Sequence, residues 1–358
     1  MEKESKQIAQ VIDLNKCIGC QTCTVSCKQL WTDEKGMEHM WWNIVNSMPG
    51  KGTPKDWETM GGGWKDGNLV YGKLPSKKDF GDAWNFNFNE VHYEGNKGKV
   101  QLKPIGERPE WGPNWDEEQG AGEFPNSYYF NFPRLCNHCT KPACLAACPT
   151  KAIYKREKDG VVLIDDTLCK GTKMCQMACP YKRIYFNDEK NIGQKCIACF
   201  PKIEMGLQPQ CFANCIGKIR FAGWISQPEK AREDNPIDFL VHVKKVALPL
   251  FPQFGLEPNV YYIPPLNVPR EFLLQMFGPN VDAALATYRN APRDKDLAGL
   301  LTLFGSTELI VAKWKRAGEQ ILGYDENNRE IIRVPLSEPT LIRQAFDAAR
   351  GVARTNIS

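Results

Sequence analysis

Apolar and polar positions divide the chain into stretches of different character. Between Pro149 and Leu168 the order is Ala152-Ile153-Tyr154, then Lys158-Asp159-Gly160, then Val161 to Ile164, which predicts a strand, a turn and a strand. Residues 28–135 follow no steady period. They are rich in glycine, proline, asparagine and aromatics, with runs such as Gly61-Gly62-Gly63 and Arg108-Pro109-Glu110, and read as a long irregular insertion. Beyond residue 220, Pro249, Pro252, Pro258, Pro264, Pro265 and Pro269 predict an extended strap hugging the surface. Val281–Tyr288, Leu297–Phe304 and Glu308–Leu322 then show helical spacing. Apolar stretches such as Val246–Phe251 and Gly299–Phe304 fall far short of the roughly 20 residues that span a bilayer. Met1 to Gln10 carry mixed charge and no apolar run, so no secretory leader is expected.

Composition adds one strong fact. Hydrophobic content of 42 % and charged content of 25 % suit a globular chain, and the net charge of +4 lies in no basic run, which argues against a nucleic-acid partner. The chain has 15 cysteines among 358 residues. That share is too small for a disulfide-stapled scaffold, and an odd number cannot pair completely.

Sorted by spacing, the cysteines form four groups with none left over: Cys17, Cys20, Cys23 and Cys27; Cys136, Cys139, Cys144 and Cys148; Cys169, Cys175 and Cys179; Cys196, Cys199, Cys211 and Cys215. A C-x2-C-x2-C loop wraps three iron corners of a cubane. The fourth cysteine, expected to open a helix pointing away, ligates the other cluster of a pair. Cys148-Pro149 and Cys179-Pro180 also carry the C-P ending of that run. Zinc ribbons would use C-x2-C pairs, but four cysteines crowded into eleven residues (17–27) suit a cluster better than one tetrahedral ion. No C-x2-C is followed by His, which excludes covalent c-type haem.

Groups two and three are close enough to make one compact module, so groups one and four must pair around it. Exchange of the fourth ligands predicts four sets: Cys17, Cys20, Cys23 with Cys215; Cys196, Cys199, Cys211 with Cys27; Cys136, Cys139, Cys144 with Cys179; and Cys169, Cys175 with Cys148. The expected class is α+β, with two pseudo-symmetric ferredoxin-like modules binding four clusters. Residues 1–27 with 180–225 form one module and 136–179 the other; 28–135 is the insertion and 226–358 a C-terminal docking strap with helices, or simply extra core.

In the third group Thr172 stands where the second ligand belongs. A hydroxyl is a harder and far less acidic donor than a thiolate. The site reads as a [3Fe–4S] cluster lacking the unligated corner, or as a [4Fe–4S] cluster completed by water or the Thr172 oxygen. His39, His92, His138 and His242 are scattered; His138 is expected to hydrogen-bond near a cluster rather than ligate it. Lys16, Lys28, Lys170, Lys173 and Arg134 are candidates for tuning potential, or ordinary solvated charges. Eight tryptophans fall at 31–115 (Trp31, Trp41, Trp42, Trp57, Trp64, Trp84, Trp111, Trp115) and serve an interface, the insertion's own core, or both. No catalytic constellation stands out.

The segments LNKCIGCQTCTVSCKQLW (14–31), CNHCTKPACLAACP (136–149), CKGTKMCQMACPYKRIYFN (169–187) and KCIACFPKIEMGLQPQCFANCIGKIR (195–220) resemble the iron–sulfur β subunits of the dimethyl sulfoxide reductase family of molybdenum enzymes. NWDEEQGAGEFPN (114–126) and ALPLFPQFGLEPNVYYIPP (247–265) resemble the type II subgroup, with ethylbenzene dehydrogenase, nitrite oxidoreductase and the selenate, chlorate and perchlorate reductases. The resemblance implies a non-catalytic electron-transfer subunit with three [4Fe–4S] clusters and one [3Fe–4S] cluster. Related β subunits also replace the second cysteine of the third motif, in favour of the three-iron reading of Thr172. It further implies a catalytic α subunit with molybdenum bis-guanine-dinucleotide, and a haem b γ subunit or soluble cytochrome. The Cys17, Cys20, Cys23, Cys215 cluster would face the α subunit and the three-iron cluster the haem. The complex would be periplasmic, exported folded on the α subunit's signal. The rival readings are the same relay in a formate dehydrogenase- or hydrogenase-type complex, or a chain with its own substrate site at an open cluster corner.

Overall fold

In this computed structural model the described residues are 6–48, 54, 56–80, 128–336, 346–347 and 352–353. The segment 114–126, His92, Trp84, Trp111 and Trp115 lie outside them. The elements that position the cysteines are, in order, β1 (Gln7–Asp13), α1 (Thr22–Trp31), β2 (Ile44–Met48), β3 (Gly63–Lys65), β4 (Asn68–Val70), β5 (Phe130–Arg134), α2 (Ala143–Ala146), β6 (Ile153–Lys155), β7 (Val162–Ile164), α3 (Met174–Ala178), β8 (Ile184–Asn187), β9 (Ile192–Lys195), α4 (Phe200–Glu204), α5 (Gln210–Ala213) and β10 (Arg220–Ile225). The C-terminal part adds α6 (Pro236–Asp238), β11 (Leu248–Pro249), β12 (Val260–Ile263), α7 (Arg270–Phe277), α8 (Val281–Arg289), α9 (Lys295–Leu301), β13 (Lys313–Ala317), β14 (Gln320–Tyr324) and β15 (Glu330–Pro335).

The main sheet has the order β10-β1-β12-β11, with β1 antiparallel to β10 and parallel to β12. Residues 8–13 of β1 are buried throughout, so both faces of this strand are covered. Alternation sends Ala9 and Val11 into a core with Phe221, Phe239, Leu297, Leu300 and Trp314. Ile12 goes the other way, into a core with Phe130, Phe132, Tyr262 and Phe277, and Gln10 shares that face. The sheet therefore divides a core built with α9, β13 and β14 from the cysteine-bearing side, where α7 and α8 also pack. β6 and β7 pair as a hairpin, as the alternating pattern predicts, and β8 and β9 pair in the same way.

The insertion is closed at its base. β2 pairs antiparallel with β5, joining residues 44–48 to 130–134. Trp57 is fully buried under the Arg134 guanidinium, 3.9 Å from the ring centroid, and Trp41 and Trp42 are buried as well. Trp57 packs in the main core against Phe251, and Trp42 with Cys27, Tyr185 and Cys196, so these rings bind the insertion to the cysteine-bearing part. Gly62, at φ 113°, lies against α3, where a Cβ would stand 2.8 Å from Met177 O.

Two C-terminal expectations are corrected. The proline-rich segment is extended but not a surface strap: Leu248, Leu250, Phe251, Val260, Tyr262 and Ile263 are buried, and β12 holds an inner place in the sheet. The apolar residues between the prolines decide this, and the Tyr262 hydroxyl donates to Pro133 O at 2.9 Å, tying β12 to β5. Glu308–Leu322 is not a helix either. β13 and β14 form a hairpin through Gly318 at φ 62°, with buried Trp314 between the outer Lys313 and Lys315. A period of two and a left-handed glycine outweigh the helical spacing of Ile310, Val311, Trp314 and Ile321.

Candidate metal centres

The four motifs share one local construction. The residue before the second ligand position is left-handed in each: Gly19 (φ 66°), His138 (φ 42°), Gly171 (φ 67°) and Ala198 (φ 52°). Thr172 follows Gly171 as Cys20 follows Gly19, so it occupies the second-ligand position of the same loop. The third cysteine is the second residue of a short helix every time: Cys23 in α1, Cys144 in α2, Cys175 in α3 and Cys211 in α5. The fourth comes four residues later, at the far end of that turn. The expectation that the fourth cysteine opens the helix is therefore corrected. Gln21 and Lys173 in left-handed caps, and Pro142 and Pro209 in extended ones, start each helix one residue before the third cysteine. In α1 the four residues from Cys23 to Cys27 return to nearly the same face about 6 Å further along, and in the other three motifs the fourth cysteine lies one or two residues past the helix end.

These helices bring the cysteines round four cavities. Cavity I is lined by Cys17, Cys20, Cys23 and Cys215 with Ile219 and Arg220. Cavity II is lined by Cys27, Cys196, Cys199 and Cys211 with Gln10, Trp31, Trp42 and Asn43. Cavity III is lined by Cys136, Cys139, Cys144 and Cys179 with His138, Arg183 and Lys195. Cavity IV is lined by Cys148, Cys169 and Cys175 with Thr172, Lys170, Lys173 and Phe186. All 15 thiols are free. A surface groove by Lys6, Met205, Trp224 and Asp325 contains no cysteine.

Neighbouring thiols give the cavities an order. Burial and then the adjoining thiols push Cys196 up to about 12, and Cys136 of cavity III is foremost among those thiols. Cys211 of cavity II is raised by burial and then by its neighbours, Cys23 of cavity I among them. Cys144 of cavity III is raised by burial first, with Cys175 of cavity IV among the smaller causes. The cavities thus form a file, I–II–III–IV.

The donor set fits iron–sulfur clusters. Burial pushes Cys17 up to about 11 and Cys175 to about 12, so grouped thiolates need a cationic partner. Burial also raises Cys148, but hydrogen bonds from the Thr150 hydroxyl and the amides of Ile153, Ala152 and Thr150 outweigh it and hold that thiol below its ordinary value. Buried donors without partners among the described residues line three of the cavities: Arg220 Nε in I, Asn43 Nδ2 and Trp42 Nε1 in II, and His138 Nε2 in III. Inorganic sulfide would accept from them. Among the described residues no three His, Cys, Asp or Glu side chains converge closely enough for a single metal ion. A zinc site, with Zn–S near 2.3 Å, would require that convergence.

Donors to the cysteine sulfurs are also in place. The Trp31 indole donates to Cys199 Sγ at 3.1 Å, Arg220 Nη2 to Cys23 Sγ at 3.0 Å, and the Ala198 and Gln210 amides to Cys196 and Cys199 Sγ, each at 3.4 Å. His138 Nδ1 accepts from the Val162 amide at 3.2 Å, which leaves Nε2 as the protonated nitrogen facing cavity III. Burial, with Lys195 and Lys155 nearby, holds His138 neutral. Of the proposed tuning charges, Lys170 and Lys173 line cavity IV, and Lys173 Nζ lies 3.9 Å over the Phe186 ring. Lys28 instead donates to the carbonyls of Met37, Glu38 and Met40, Lys16 lies 3.8 Å from Asp13, and Arg134 stacks on Trp57. Arg220, Asn43, Arg183 and Lys195 were not distinguishable in the sequence. Arg220 lies five residues past Cys215, and only the register of β10 against β1 turns it inward.

The pattern of the 4Fe-4S dicluster domain family matches residues 127–224. The chain is 50% identical over 318 residues to the selenate reductase subunit beta of Thauera selenatis, covering 83% of this chain and 95% of that protein. It is 48% identical over 319 residues to the chlorate reductase subunit beta of Ideonella dechloratans, again 83% of this chain and 95% of the other. The chain belongs to the β-subunit family of the type II dimethyl sulfoxide reductase complexes. A dimethylsulfide dehydrogenase subunit beta from Rhodovulum sulfidophilum is 45% identical over 300 residues, covering 79% of this chain and 90% of that protein. As a β subunit of this family it is an iron–sulfur electron-transfer subunit. No helix among the described residues is long and apolar enough to cross a membrane.

Proposed function

We propose that cavities I, II and III each hold a [4Fe–4S] cluster and cavity IV a [3Fe–4S] cluster, on the cysteine sets given above. When bound, these clusters supply single-electron acceptance and release, with no bond made or broken on this chain. The observation that carries the reading is the file of four cavities with cysteines of successive cavities one helical turn apart. α1 packs on α5 and α2 on α3; the segments 23–27 and 211–215 each give one cysteine to cavity I and one to cavity II, and the segments 144–148 and 175–179 one to III and one to IV. Thr172, exposed at the second-ligand position of cavity IV, supports the three-iron assignment.

The partners follow from the family. A molybdenum-containing catalytic α subunit takes the cavity I end, where Cys20 is exposed and the flanking Ile18 and Ile216 are 66 % and 64 % exposed, a patch suited to a permanent subunit contact. A haem b γ subunit or soluble cytochrome takes the cavity IV end. The names of the relatives favour a complex that reduces an oxyanion such as selenate, chlorate or perchlorate, or oxidises a small molecule such as dimethylsulfide, over a formate dehydrogenase or hydrogenase. The compartment proposed is the periplasm, reached by export together with the α subunit.

Anaerobic purification of the complex tests this reading. About fifteen irons per chain, one three-iron and three four-iron signals by electron spin resonance, and a co-purifying molybdenum subunit are expected. A non-molybdenum partner, or zinc in place of iron, would overturn it, and recovery of the complex in the cytoplasmic fraction would overturn the compartment.

A further inference from the structure

We propose that Arg220 is a fixed cation shared by cavities I and II, which raises the reduction potentials of both their clusters. The inference rests on the reading that these two cavities hold clusters. Arg220 opens β10 and is only 2 % exposed. Its guanidinium spans the partition between the cavities. Nη2 donates to Cys23 Sγ at 3.0 Å on the cavity I side. Nη1 donates at 3.0 Å to Asn43 Oδ1, whose residue lines cavity II. Nε has no partner among the described residues, and Arg220 is part of the cavity I wall. The group also lies 5.4 Å over the ring of Phe212, the residue next to the cavity II ligand position Cys211.

An arginine does not lose its proton in a protein, so this charge is permanent. Buried, it is screened weakly by salt and water. An electron entering either neighbouring cluster adds one negative charge beside it, and the reduced form gains more from the cation than the oxidised form does. Both potentials therefore rise. The donation to Cys23 Sγ acts in the same direction by drawing charge from the thiolate.

The second module lacks this arrangement. Five residues past Cys179, where Arg220 follows Cys215, stands Ile184, which lines cavity III. Of the cations lining cavity III, Arg183 donates to Trp41 O and Trp42 O, and Lys195 to Val162 O and Cys196 O. Arg220 is thus a positioning and tuning residue that makes the I–II end of the file a better electron acceptor than its thiolates alone would.

The test is a redox titration, followed by spin resonance, of the purified complex carrying Arg220→Met, Arg220→Gln or Arg220→Lys, with iron and sulfide measured in parallel. The neutral variants are expected to lower two of the four midpoint potentials and leave the other two in place, while Arg220→Lys stays near wild type. Neutral variants with full iron and four unchanged potentials would overturn the proposal while leaving the four-cluster reading intact. Wild-type complex without clusters would overturn that reading itself. If neither neutral variant retains clusters I and II but Arg220→Lys does, the need for charge stands. If the lysine variant loses them as the neutral ones do, Arg220 is a packing residue and the proposal fails.

Discussion

Cys23 and Cys27 stand one turn apart on α1, and the first lines cavity I while the second lines cavity II. Cys211, on α5, and Cys215, two residues past its end, line the two cavities in reverse order, and the pairs Cys144–Cys148 and Cys175–Cys179 divide in the same way between cavities III and IV. A short helical segment thus sets the separation of two cavities and presents one thiol to each. The geometry predicts that no motif is a self-contained four-ligand site. Cys27→Ser should remove the same spin-resonance signal as Cys199→Ser and lower the iron by up to about four per chain. Loss instead of the signal that Cys17→Ser removes would disprove the exchange.

Thr172 follows left-handed Gly171 as Cys20 follows left-handed Gly19. Its side chain is already where a second ligand belongs, so a thiolate there should need little rearrangement. Thr172→Cys is expected to replace the oxidised three-iron signal by a fourth four-iron signal and raise the iron by about one per chain. An unchanged spectrum at full occupancy would mean that Thr172 is not the vacant corner.

Gly19 carries both a conformational and a steric constraint. Its φ is 66°, and an added Cβ would stand 2.7 Å from Asn131 Oδ1. Asn131 cannot move freely, because its Nδ2 donates to Cys17 O at 2.9 Å and holds the same loop. Gly67, at φ 76° in the β3–β4 turn, has nothing within 4 Å of the equivalent Cβ and serves as the control for backbone strain alone. Gly67→Ala should cost about 1 kcal/mol and Gly19→Ala roughly 2–3 kcal/mol, with iron lost from cavity I. Equal losses in thermal unfolding would show that the Asn131 contact yields freely.

The cysteine groups were legible because cluster ligation demands a fixed spacing of one residue type, and that spacing survives in the sequence whatever surrounds it. The β6–β7 hairpin was legible because Val161 to Ile164 make a short apolar run after a glycine turn. Arg220 was not, since a lone arginine in a strand has no local mark of the face it takes. The proline-rich segment misled for a related reason. Proline reports that the backbone is extended, whereas burial of Tyr262 depends on β1 lying beside β12, and that of Phe251 on the rings of Trp57 and Phe254. In Glu308–Leu322 two patterns competed, and left-handed Gly318 settled which one the chain follows.

His39 gives the fold a pH dependence separate from the thiols. It is buried, with ring centroids of Phe80 and Tyr185 each 6.2 Å away edge-on, and its Nδ1 has no partner among the described residues. Burial, reinforced by Lys77 and Lys28 against the weaker pull of Asp188 and Glu38, brings its pKa down from 6.5 to about 4. The folded state therefore binds this proton more weakly than the unfolded chain does. Stability from neutral His39 is complete above pH 6.5 and is lost progressively as pH falls toward 4. His39→Phe keeps a ring in the same pocket and removes the titration. The gap in Tm between the variant and wild type should move in the variant's favour from pH 7.5 to pH 5, on the order of a few degrees. Comparing the two proteins at each pH cancels the acid sensitivity that they share through their cysteine sites. A gap that stays constant over that range would show that His39 titrates in the folded protein as it does in the unfolded chain.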